Sequence, residues 1–213
     1  MTKNASAPSY DDLESLLKKI DGNNGLACRQ ILDDYKELFM GAPGASHNHQ
    51  VWPGGYNDHI TEAMNIVSVL FDVLNTLRNL PFTKSDALLV VFLHDLEKPF
   101  RYTYDAGGNL VANPSLSDKD SKSAKRNEII SQYGIQLNEQ QLNAMKYIEG
   151  VRESEYTPGA RTMGELASIC HCADTISARL WYNHPLPAGE DTWLKAKRVN
   201  PNAKDYVVPS ELT

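Results

Sequence analysis

Ala87-Leu88-Leu89-Val90-Val91-Phe92-Leu93-His94-Asp95-Leu96-Glu97-Lys98 is the stretch on which the reading of the fold turns. Its unbroken apolar run, from Ala87 to Leu93, suits a helix buried nearly all round and central to a core. An imidazole and a carboxylate then follow side by side, which folding alone does not explain. Burying that pair costs several kcal/mol unless each group finds a partner. A divalent cation satisfies both at once.

Outward from this stretch the pattern is helical. Ser85-Asp86 starts the central helix, which runs to about Leu96 and stops before Pro99. The helix before it, about Tyr56 to Leu80, carries Ile60, Met64, Ile66, Val67, Leu70, Phe71 and Leu74, and Pro81 stops it. Two more precede, from Tyr10 to Ile20 and from about Leu26 to Met40, separated by a turn at Asp21 to Gly25. Downstream, Asp105-Ala106-Gly107-Gly108-Asn109 between β-prone pieces reads as a small hairpin. Helices follow at about Asp118 to Tyr133, Asn138 to Glu149 and Met163 to Trp181. Asn138 and Gln141 form a capping box. Residues 183–213, with Pro185, Pro187, Pro201 and Pro209, read as an extended tail on the domain or a neighbouring subunit. The fold expected is all-α: N-terminal helices over 1–40, a helical core over 41–182 and an irregular C-terminal tail over 183–213.

Composition narrows the function. The chain has 213 residues and a net charge of −6, with no basic run, which argues against coating long nucleic acid. A bound cation can reverse the local field, so a small phosphorylated substrate remains compatible. No segment reaches the roughly 18 to 20 apolar residues of a membrane span. Met1 to Pro8 lacks the basic start and apolar run of a signal peptide, so a cytoplasmic protein with reduced Cys28, Cys170 and Cys172 is expected.

The candidate metal ligands are His59, His94, Asp95 and Asp174. Two imidazoles and two carboxylates suit one transition ion (Mn, Fe, Co, Ni or Zn) better than Mg or Ca, with Mg kept as the alternative. In the loop before His59, His47 and His49 are either exposed or facing a phosphate as donors, or as an acid for the leaving oxygen. Glu97 is a candidate base or a solvated helix end. Glu62, one turn beyond His59, is an acceptor for that imidazole or a surface ion pair. Trp52 and Tyr56, flanking Gly54 and Gly55, either stack on a base or anchor the loop; the glycines allow close approach to a ligand. Lys122, Lys125 and Arg126 form a stripe that is either solvated or directed at distal phosphates. Cys170-His171-Cys172 is not a zinc site, because alternate helix positions point apart. His171 shares a face with Asp174 and either lines the pocket or simply packs.

Gly54-Gly55-Tyr56-Asn57-Asp58-His59, then His94-Asp95-Leu96-Glu97-Lys98, then Ala173-Asp174, resemble the successive motifs of the HD-domain metal-dependent phosphohydrolases. The resemblance covers about residues 45 to 182 and implies a helical bundle with His59, His94, Asp95 and Asp174 on the metal. It also implies Lys98 near the metal and in reach of phosphate. Members with more metals carry further histidines before the final Asp; none occurs here from residue 95 to 170, which implies a single ion. The expected enzyme cleaves phosphate esters of (deoxy)nucleotides, as a 5′-nucleotidase or a deoxynucleoside triphosphate triphosphohydrolase. Lys98, Arg101 and His47 or His49 would neutralise transition-state charge. The glycine pair preceded by histidines is also similar to HD-type 3′→5′ exoribonucleases, so an exonuclease or phosphodiesterase on short single strands is the alternative. A non-catalytic nucleotide-binding module is the third. The expected partners are a small nucleotide and further copies of the chain, with no membrane and no long nucleic acid.

Overall fold

The structure, a computed structural model, describes residues 10–45, 49–107, 110–155 and 157–180. The expected tail over 183–213 and the expected loop residue His47 lie outside the described residues.

The architecture is all-α, as the spacing of apolar residues predicts. The helices are α1 (Leu13–Leu17), α2 (Gly22–Asp34), α3 (Lys36–Gly41), α4 (Gly55–Leu77), α5 (Lys84–Leu93), α6 (Lys119–Gln132), α7 (Glu139–Tyr147) and α8 (Glu165–Leu180). One antiparallel hairpin interrupts them, with β1 (Tyr102–Tyr104) paired to β2 (Leu110–Ala112) and Thr103 opposite Val111. α5 is the middle of the bundle: every residue from Ala87 to Leu93 is buried. Around it pack α4, α7, α8 and α2, with α1 and α3 covering α4.

The helix ends follow from local chemistry. Thr83 and Asp86 form a capping box at the start of α5, and Asn138 and Gln141 form the predicted one at α7. Asp118 accepts the Ser121 N–H at the start of α6. Gly134, with φ of 66°, ends the same helix in the left-handed region.

Several boundaries differ from expectation, three of them with a visible local cause. The second helix is broken at Tyr35 into α2 and α3, and the Tyr35 ring packs edge-on against Phe100 at 4.8 Å. Helix also begins at Gly22 rather than after the turn, because Asn24 exchanges two hydrogen bonds with the Gln136 backbone. α4 ends at Leu77, short of Pro81, where Arg78 turns extended and the Asn75 side chain takes the Leu80 N–H.

α4 corrects another expectation, since at 23 residues it is long and apolar enough to cross a membrane by length and composition. Its first half carries His59, Glu62 and Asn65 into the protein interior. Its last turns leave Val73 and Leu77 exposed.

Candidate metal centre and the basic cavity beside it

Three helices deliver the four predicted ligands to one point. His59 comes from the second turn of α4, His94 from the C-cap of α5, Asp95 from the turn after it, and Asp174 from the middle of α8. One ligand atom from each lies within 4.8 Å of every other. His59 Nε2 is 3.1 Å from Asp174 Oδ1 and 3.6 Å from Asp95 Oδ2. His94 Nε2 is 3.1 Å from Asp95 Oδ2 and 3.3 Å from Asp174 Oδ1. His59, His94 and Asp95 are buried, and Asp174, at 17% side-chain exposure, marks the open side.

The hydrogen bonds fix which nitrogen of each ring is available. His94 Nδ1 lies 2.7 Å from the Val91 carbonyl, which can only accept, so Nδ1 donates. His59 Nδ1 lies 3.0 Å from Ser177 Oγ, which in turn donates to the Glu62 carboxylate at 3.1 Å. The hydroxyl proton is thus directed to Glu62, and His59 Nδ1 donates to the hydroxyl oxygen. Both Nε2 atoms are buried and have no hydrogen-bond partner. With each Nδ1 occupied, both Nε2 atoms point between two carboxylates, a donor set that fits one borderline divalent ion once the rings give up their Nε2 protons in exchange for it.

Charge at the point of convergence agrees. Burial opposes a charged His94, yet the Asp95 and Asp174 carboxylates hold its pKa well above the usual histidine value. Burial likewise opposes an ionised Asp95, but His94 and Lys98 hold it well below the carboxylate range. Asp174 is lowered too, against its burial, by the His59 and His94 rings. Positive charge is what stabilises the two carboxylates here.

The loop before α4 supports His59 from behind. Gln50, fully buried and at φ of 50°, donates from Nε2 to Glu62 at 2.7 Å and accepts at Oε1 from His49 Nδ1 at 2.6 Å. Its carbonyl receives the Gly44 N–H at 2.8 Å. A Cβ on Gly55 would meet that carbonyl at 1.9 Å, and Gly54 has φ of 83°. The glycine pair therefore lets the loop close on itself, and not on a ligand as expected. Sequence reasoning missed Gln50 and Ser177, since neither belongs to a periodic or charged pattern.

The remaining predicted residues divide. Trp52 and Tyr56 are buried and offer no face to a base: the Trp52 indole donates to Asp58 at 2.7 Å, and Tyr56 packs on Phe39 at 5.1 Å. His49 packs against His59, with ring centroids 4.7 Å apart, and burial, then His59 and Lys98, push its pKa down to about 4. With Nδ1–H engaged, its Nε2 carries the lone pair, so the neutral ring holds no proton there to give as the expected acid. Glu62 reaches His59 through Ser177. His171 bonds the Ile148 carbonyl at 2.6 Å, a packing role. Lys98 Nζ meets Asp95 Oδ2 at 2.5 Å. Glu97 is buried with its Oε1 on Arg101 and its Oε2 3.8 Å from Arg126, so it holds two guanidiniums and is not a free base.

Beside His94 opens a cavity of about 520 Å³. Its walls carry Arg101, Lys119, Lys122, Arg126, Lys146 and Arg152, against the carboxylates of Glu97, Glu149 and Glu155. No Trp, Tyr or Phe lines it among the described residues. A chain of net charge −6 thus places six of its 21 Lys and Arg residues around one cavity, next to the candidate metal centre.

Comparison with known proteins gives one distant likeness. The chain is 22% identical over 187 residues to the 3′-5′ exoribonuclease YhaM of Bacillus pumilus (strain SAFR-032). That alignment covers 83% of this chain and 56% of the relative, so the chain spans little more than half the relative's length. No family model and no solved structure matches the chain.

Proposed function

We propose that the chain is an HD-type, metal-dependent phosphodiesterase that removes nucleotides from the 3′ end of single-stranded oligoribonucleotides. The observation that carries this reading is the basic cavity opening directly beside His94, one of the four convergent ligand side chains. A phosphodiester chain presents one negative charge per residue, and cations spread along a wall track such a backbone without reading its sequence. The likeness to an exoribonuclease points the same way.

His59, His94, Asp95 and Asp174 would hold the ion, which when bound polarises a phosphoryl oxygen and acidifies water. Around it, Lys98 holds Asp95 in place, and Arg101 and Arg126 present guanidinium groups that neutralise charge developing on the phosphate. His49, kept uncharged by its surroundings, offers its Nε2 lone pair as a hydrogen-bond acceptor beside His59. The nucleotidase or triphosphohydrolase first expected from the sequence has less support. A mononucleotide enzyme gains from stacking on its base, and the two aromatics expected to do so are buried.

The test is direct. Protein loaded with Mn²⁺ or Co²⁺ should shorten a 5′-labelled single-stranded RNA one nucleotide at a time. Release of phosphate or triphosphate from mononucleotides, with the RNA left intact, would return the assignment to the nucleotidase class.

A further inference from the structure

A second cavity, of about 620 Å³, adjoins the basic one along α6. Arg126, Met145 and Lys146 line both, so the two spaces share a wall. Their chemistry differs. Beyond Arg126 and Lys146 the second cavity holds no charge; Ile130, Ile135, Leu137 and Leu142 give it an aliphatic floor, with the amides of Asn127 and Gln136 at its edge.

Arg126 is fixed where the two meet. Its Nη1 donates to the His94 carbonyl at 2.7 Å, and the same group lies 3.8 Å from Glu97. Its Nε is buried without a partner. One edge of the guanidinium is therefore anchored to the backbone of a metal-ligand residue, and the head faces both cavities at a set distance from that ligand. A planar guanidinium so fixed suits a phosphate group, and Lys146 supplies a second positive charge.

We infer that the second cavity is a subsite for the nucleotide adjacent to the one in the basic cavity, with Arg126 and Lys146 holding the linking phosphate. The inference rests on the phosphodiesterase reading and extends it to a minimum substrate length. The order of surfaces along the wall, charged, then apolar with amides at the edge, matches the repeat of a nucleic-acid strand: phosphate, then base. A lone mononucleotide bound beside His94 would leave the second space unused.

The experiment is calorimetric titration of the full chain, stripped of metal with EDTA, with 5′-phosphorylated oligoadenylates of one, two, three and six residues. Affinity should rise at least about tenfold from one residue to three, the scale of one charge-assisted phosphate contact, and then flatten. Arg126→Ala should remove most of that rise, and Arg126→Lys should restore only part of it. Ser131, exposed at the mouth of the second cavity, provides an independent block. Ser131→Trp should collapse the ratio between three residues and one, whereas Ser131→Ala should not. Equal affinity at every length, no binding at any length, or a length effect that survives Ser131→Trp would each overturn the inference. The two readings fail separately: RNA trimming by a protein indifferent to length removes the subsite alone, and length-dependent binding without trimming removes the catalytic reading alone.

Discussion

The floor and the wall of this site are built on different principles. The floor is made by α4, α5 and α8, which pack against one another in the core, and three of its four candidate ligands are buried. Both imidazoles there are locked by a hydrogen bond at Nδ1, to the Val91 carbonyl and to Ser177. The wall is made by α6, α7 and the segment after α7, where Lys119, Lys146 and Arg152 are exposed. The difference teaches where each property resides. The candidate metal centre is fixed by packing that admits few alternatives, whereas the wall is made of long side chains that reach into water. Changes in the floor should act all or none; changes in the wall should be graded and sensitive to salt.

The largest effect tests the floor. Asp95→Ala should reduce both metal content by elemental analysis and phosphodiester turnover to background, while far-UV circular dichroism stays helical. Turnover in a metal-free Asp95→Ala protein would break the comparison at its base. Next comes the support behind His59. Ser177→Ala removes the acceptor that orients the ring, and metal affinity by competition with a chelator should fall about 10- to 100-fold. An unchanged affinity would mean that the floor is less exacting than its geometry suggests.

The wall should respond more gently. Lys122→Ala should weaken oligonucleotide binding several-fold at low salt and lower the slope of log affinity against log salt by about 0.7, the value for one phosphate contact on a single strand. A sequence-dependent loss would show base readout instead. The smallest effect lies outside both regions. Asn138→Ala removes the cap of α7 and should cost about 1 kcal/mol in a chemical unfolding curve, with metal affinity unchanged.

The same division explains what the sequence could disclose. The candidate ligands were legible because His94 and Asp95 break an apolar run, and His59 and Asp174 stand at helix positions that resemble known motifs. The bundle was legible because its helices carry apolar faces at helical spacing and begin with recognisable caps. The supports were not. Gln50 and Ser177 are ordinary polar residues whose roles exist only once residues 127 positions apart are brought together. The basic cavity was legible only in part: the stripe on α6 disclosed Lys122 and Arg126, but the cavity's cations come from four separate segments, so no run of charge marks the whole of it. Trp52 and Tyr56 misled because an aromatic beside glycines has the same composition whether it stacks on a ligand or fills the core. The break at Tyr35 answers to a tertiary contact with Phe100 that helix propensity does not register.

The cysteines of α8 carry a practical consequence. Cys170 faces inward with its thiol pushed far above the ordinary range by burial, and Cys28 is raised by burial to about 12, so neither should react at neutral pH. Cys172 is exposed and stands two residues before Asp174. An unmodified chain thus has a single accessible attachment point for a maleimide dye, on the same helix as one of the four ligands. A dye there would tag the helix that carries Asp174 while leaving the buried thiols untouched, with no engineered label.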